Sequence, residues 1–71
     1  MLNLEDAQRI GLQLKSILRF IAKRPAGCTV PQLEREFPDR DIEILLELAI
    51  AIDLIKDDYD GDIQVFKIKN Q

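Results

Sequence analysis

Three breaks constrain this chain more than any other feature: Pro25 to Gly27, Phe37-Pro38 and Asp60-Gly61. Proline lacks a backbone donor and glycine admits left-handed backbone, so regular elements must fit between these points. The breaks leave four segments. With 71 residues in total, the chain has room for one small domain from residue 1 to 71.

The first segment predicts a helix over about 3–24. Asn3 and Asp6 form a capping pair, and Ala7, Ile10, Leu14, Ile17, Leu18 and Ile21 recur at three- and four-residue steps. Lys15, Arg19 and Lys23 fall on another face at i, i+4 spacing. Gly11 weakens the first half by about 1 kcal/mol relative to alanine and marks where it would fray or bend. Thr29 and Gln32 have capping-box spacing ahead of a second helix over 30–37, whose buried side is Val30, Leu33 and Phe37. Asp39 is the expected N-cap of a third helix over 39–52. Residues 54–69 then read as two strands around the hairpin dipeptide Asp60-Gly61, which would pair Tyr59 with Asp62 and Ile55 with Phe66. Ile55, Phe66 and Ile68 share one face of that hairpin; Lys56, Ile63 and Val65 share the other.

Composition removes whole classes of function. There is no histidine or tryptophan and only one cysteine, which excludes a disulfide scaffold, histidine catalysis and the usual zinc sites. The longest apolar run, Leu48 to Ile52, is too short to span a membrane, and the start lacks the pattern of a signal peptide, so a cytoplasmic location is expected. Asp57 to Asp62 invites a calcium reading. With Gly61 as the loop glycine, however, Lys56 and Lys67 would occupy the first and last ligand positions, where carboxylates belong. Cys28 has no partner to activate it and reads as a small buried residue. No catalytic, metal or cofactor constellation emerges, and enzyme activity is not expected.

The order helix, helix, helix, hairpin resembles a winged helix-turn-helix domain over most of the chain. Carrying the likeness are Ile17-Leu18-Arg19-Phe20-Ile21-Ala22, Cys28-Thr29-Val30-Pro31-Gln32-Leu33, Asp53-Leu54-Ile55 (many members have Gly-Leu-Ile) and Val65-Phe66-Lys67-Ile68. The fold class implied is α+β, a three-helix winged helix-turn-helix with a C-terminal two-stranded wing. The other fold compatible with the residues is a three-helix bundle with a loosely attached hairpin. The resemblance implies that the third helix reads a DNA major groove while the wing touches phosphates.

The charges argue against that role. Residues 39–52 hold one base, Arg40, against Asp39, Asp41, Glu43 and Glu47; Arg40, Glu43 and Glu47 share its polar face. The wing tip carries Asp57, Asp58, Asp60 and Asp62. Residues 1–24 carry +3 and residues 25–71 carry −6 of a total −3, so the basic surplus sits on the first helix. Phosphate binding depends on Lys and Arg, and here the expected contact elements are acidic. A DNA-binding regulator would have to use Arg40, Lys15, Arg19, Lys23, Lys67 and Lys69.

The third helix is instead over-supplied with apolar residues. Ile42, Leu45, Leu46, Ala49 and Ile52 make a core-facing arc; Ile44, Leu48, Ala51 and Ile55 make a second. Either the hairpin or Leu2, Leu4 and Leu12 cover the second arc, or it meets a partner. The expected interface is Ile44, Leu48 and Ala51 with Phe20, Ile63 and Val65, facing another protein or a second copy in a homodimer. The expected role is a non-enzymatic adaptor, assembly or regulatory module, one form of which presents acidic groups resembling DNA.

Overall fold

A computed structural model describes residues 3–69. Its elements are α1 (Leu4–Ala22), α2 (Val30–Glu36), α3 (Ile42–Ala51), β1 (Ile55–Asp60) and β2 (Ile63–Ile68), the strands forming an antiparallel hairpin. The architecture is α+β, as the segment pattern predicts.

Local chemistry sets most of the boundaries. Asn3 caps α1 by accepting from the Asp6 amide at 2.8 Å. The Thr29 hydroxyl accepts from Gln32 N while the Gln32 side chain accepts from Thr29 N, closing the capping box of α2. Helix α1 runs unbroken through Gly11, with no break where that residue lowers helix propensity. Its C-terminal half buries Leu14, Ile17 and Ile21, whereas Ala7, expected on the same stripe, is exposed, packing against the core beginning at Ile10.

The third helix starts later than the sequence suggests. Its N-cap is Asp41, which accepts from Ile44 N at 3.3 Å, and not Asp39. Residues 37–40 are used in a turn closed by Arg40 N donating to Phe37 O at 3.2 Å. At the other end Leu54 N donates to Ala49 O and Asp53 N to Ile50 O, the paired bonds of a Schellman motif. Asp53 occupies the left-handed position at φ 69°, a conformation that favours glycine and that aspartate tolerates better than most residues. The reversal takes Ile55 off the helix. Expected in the exposed arc of α3, Ile55 is buried at the start of β1, while Ile52, expected in the core, is exposed at the C-cap.

The hairpin register also differs from the expected one. Asp60 pairs with Ile63, Tyr59 with Gln64, Asp57 with Phe66 and Ile55 with Ile68, so the loop is Gly61-Asp62. Gly61 has φ 65° while Asp62 is not left-handed; a positive φ at the first loop residue alone is the type II′ pattern, which takes glycine there. Because the two registers differ by an even step, the predicted division of side chains between faces holds. The hairpin is firmly attached. Cys28 N donates to Phe66 O at 3.0 Å and Phe66 N to Cys28 O at 2.8 Å, adding a short bridge along the free edge of β2. Phe66 and Ile55 join Leu33, Ile42, Leu45, Leu46, Ala49 and the α1 residues in one core.

Candidate functional site

Five exposed apolar residues belong to α3 and its cap. Ile44 is 60 % exposed, Leu48 37 %, Ile50 40 % and Ile52 50 %, and Ala51 lies exposed among them. Ile42, Leu45, Leu46 and Ala49 fill the inward side of the same helix. The second apolar arc is therefore left open by the described residues. Leu4 and Leu12, considered as a cover for it, are themselves exposed, and Leu2 lies outside the described residues. Ile50 is an exposed apolar residue that sequence reasoning leaves out. Its helical angle places it beyond Glu43, away from the Ile44 ridge, next to the hairpin.

Two residues expected at the interface are otherwise engaged. Val65 is 6 % exposed against 58 % for Ile63 on the same hairpin face, because the turn before Cys28 covers it. Gly27, at φ 95°, lies so close that a Cβ there would stand 2.9 Å from Val65 Cβ. Phe20 is half-buried, its ring meeting Phe37 edge-on at 5.7 Å with Arg24 stacked over it at 4.3 Å. Phe20 therefore seals α1 against the end of α2 and is not part of the open ridge.

The basic residues are scattered and partly neutralised. Arg40, expected on the polar face of α3, precedes the helix and turns toward α1. Its guanidinium stacks on Phe37 at 4.7 Å, and Nη1 reaches the Gln13 carbonyl at 3.5 Å. Lys67 pairs with Asp58 at 3.2 Å, and Lys69 pairs with Asp53. Lys15 and Arg19 on α1 and Lys23 at its C-cap remain exposed without an ion-pair partner among the described residues.

Beside the α3 ridge lies an open groove of about 290 Å³ lined by Val30, Glu43, Leu46, Glu47, Ile50, Gln64 and Phe66. Helix α3 forms one wall, β2 the other, and the start of α2 closes one end. Glu43 and Glu47 have no ion-pair partner among the described residues. The hairpin tip is acidic but holds no arrangement for an ion: among the described residues no group of carboxylates, or of these with Cys28, is placed to ligate a metal. Asp58 is held below the ordinary carboxylate range, first by the Tyr59 amide that donates to it at 2.8 Å and then by Lys67. Cys28 is buried, and burial pushes its thiol up, the reverse of what a nucleophile requires. No described helix is long and apolar enough to cross a membrane.

Compared with models of known protein families, with curated proteins and with solved structures, the chain matches none.

Proposed function

We propose that this chain is a winged-helix module that works through protein contacts and not through catalysis, with the outward side of α3 as its working surface. The observation that carries this reading is the exposure of Ile44, Leu48, Ala51 and Ile52 on one helix of a small domain. Apolar side chains scattered singly over a surface need no explanation, but a contiguous helix ridge beside an acidic rim is a surface suited to being covered. The winged-helix assignment is supported by element order, the glycine-like conformation of Asp53 and the strand-like bridge from Cys28 to the wing. In this reading the module serves in the cytoplasm as an adaptor, assembly or regulatory part.

Ile44, Leu48 and Ala51 follow the four-three spacing of helix pairs, so a second copy is one candidate partner. An antiparallel α3 pair centred near Leu48 would bring Glu47 beside its symmetry mate, however, and like charges there weaken such a homodimer. The DNA-binding alternative loses Arg40 to α1 and Lys67 and Lys69 to ion pairs. It rests on Lys15, Arg19 and Lys23 alone.

Titration with random-sequence duplex DNA at low salt separates the classes. A regulator shows binding that falls steeply with salt and vanishes on charge reversal of Lys15 and Arg19. The protein-contact reading predicts no binding, and salt-sensitive binding that shifts the α3 amides would contradict it.

A further inference from the structure

The groove between α3 and the hairpin combines an apolar floor with unneutralised acid on its α3 wall and a further carboxylate, Asp57, on the adjoining hairpin face. Val30, Leu46, Ile50 and Phe66 supply the floor, and Glu43 and Glu47 stand one helical turn apart on the α3 wall. Strand alternation puts Asp57 and Tyr59 on the hairpin face that carries Gln64 and Phe66. Gln64 Nε2 donates to Asp57 Oδ2 at 3.3 Å, which ties that carboxylate to a groove-lining side chain. None of Glu43, Glu47 and Asp57 has an ion-pair partner among the described residues. Nearby bases are turned away: Arg40 reaches the Gln13 carbonyl of α1, Lys56 and Lys67 occupy the opposite hairpin face, and Lys69 is held by Asp53. Glu43 and Glu47, at i and i+4, repel each other with no cation to relieve them.

Building on the protein-contact reading, we propose that this groove docks a basic amphipathic segment of a partner protein. The aliphatic stem of an arginine or lysine lies on Val30, Ile50 and Phe66, and its cation sits between Glu43, Glu47 and Asp57. Charge complementarity selects this occupant. Long basic side chains bury their stems on apolar surface while keeping the charged head at a polar rim, and this groove offers both. Its volume is near the lower end of the roughly 300–1,000 Å³ typical of small-molecule pockets, which suits one or two long side chains. A phosphate backbone meets three carboxylates here and is repelled.

The test uses the isotope-labelled full chain and two synthetic probes, a leucine–arginine amphipathic peptide and its leucine–glutamate counterpart. The arginine peptide is expected to shift the amides of Val30, Glu43 to Ile50 and Gln64 to Phe66; the glutamate peptide is expected to shift none of them. Replacing both groove carboxylates (Glu43→Gln with Glu47→Gln) is expected to weaken binding about tenfold, as truncating a charge partner at an interface does. Removing the same charge from the other hairpin face (Asp58→Asn with Asp60→Asn) is expected to leave the affinity within about twofold, because exposed distant charges are screened. Both variants change exposed residues, so the fold survives in each. Equal losses in the two variants would reduce the effect to diffuse charge and overturn the proposal, as would shifts confined to α1. Self-association of the chain alone that shifts the groove amides would assign the groove to a second copy, again overturning it. The broader reading fails separately. If the groove variants are silent while Leu48→Glu abolishes binding to a partner protein, the groove alone is overturned. Low-salt DNA binding through α3 overturns the module.

Discussion

The two faces of the hairpin are built from the same alternating strands and end up in opposite conditions. On one face the Pro25 to Gly27 turn closes over Val65, and Lys67 pairs with Asp58. On the other, Phe66 reaches the core while Gln64, on the face it shares with Asp57 and Tyr59, borders an open groove with unpaired carboxylates. Apolar content does not separate them, since each face has an aliphatic or aromatic residue at its buried end. Coverage by another part of the chain does. One face has a turn laid over it and its charges balanced within the fold; the other has neither, and the neighbouring α3 ridge shares that condition. In a domain this small, an uncovered apolar surface is a large fraction of what could have stabilised it.

The contrast can be broken first at Phe66, which with Ile55 commits the groove face of the hairpin to the core. Phe66→Ala is expected to cost about 4 kcal/mol by urea denaturation, enough to leave a domain of this size largely unfolded. Next is Gly27→Ala, which demands a positive φ of an L side chain and drives a Cβ against Val65. A loss of about 3 kcal/mol is expected, with the hairpin amides losing hydrogen-exchange protection first. A sharper comparison sets two neighbours on the covered face against each other. Val65→Ala is expected to cost about 1.5 kcal/mol and Ile63→Ala less than about 0.5 kcal/mol, because only the first removes buried methyl groups. Equal losses would mean that the turn does not cover Val65.

The smallest effect is in acid. The Asp58 carboxylate binds its proton less readily in the native state than when unfolded, because the Tyr59 amide and Lys67 favour its charged form. Its contribution is therefore complete above the ordinary carboxylate range and is lost as pH falls through its lowered native value. Urea midpoints of the parent chain and Asp58→Asn are expected to differ slightly at neutral pH and to converge in acid. The group is exposed and its pairing screened by solvent, so this gap is the least of the four.

What can be read from the sequence follows the range of the interaction that decides it. The caps Asn3, Thr29 and Gln32 act over three residues, and the sequence carries them openly. The division of hairpin side chains between faces depends only on alternation and is equally legible. Asp39 and Asp41 are equivalent as local caps; a turn at Phe37 and the docking of Arg40 on α1, 27 residues away, accompany the choice of the second. A two-residue loop containing Gly61 is compatible with either register. Val65 and Phe20 escape sequence reasoning for the same cause: Gly27 and Phe37, which cover them, are remote in sequence. Of the candidate interface, Ile44, Leu48, Ala51 and Ile63 stand exposed as expected, because helical and strand periodicity alone place them outward. The groove is invisible in the sequence, since it needs α2, α3 and β2 brought together.

The claim that α3 is a surface for protein contact is tested most directly by photo-cross-linking in cells, with the reactive residue at position 48 and a control at position 8 on the exposed side of α1. The prediction is a discrete protein adduct from position 48 that position 8 does not form and that Ile44→Glu abolishes. Adducts to nucleic acid from position 48, or identical adducts from both positions, would contradict it.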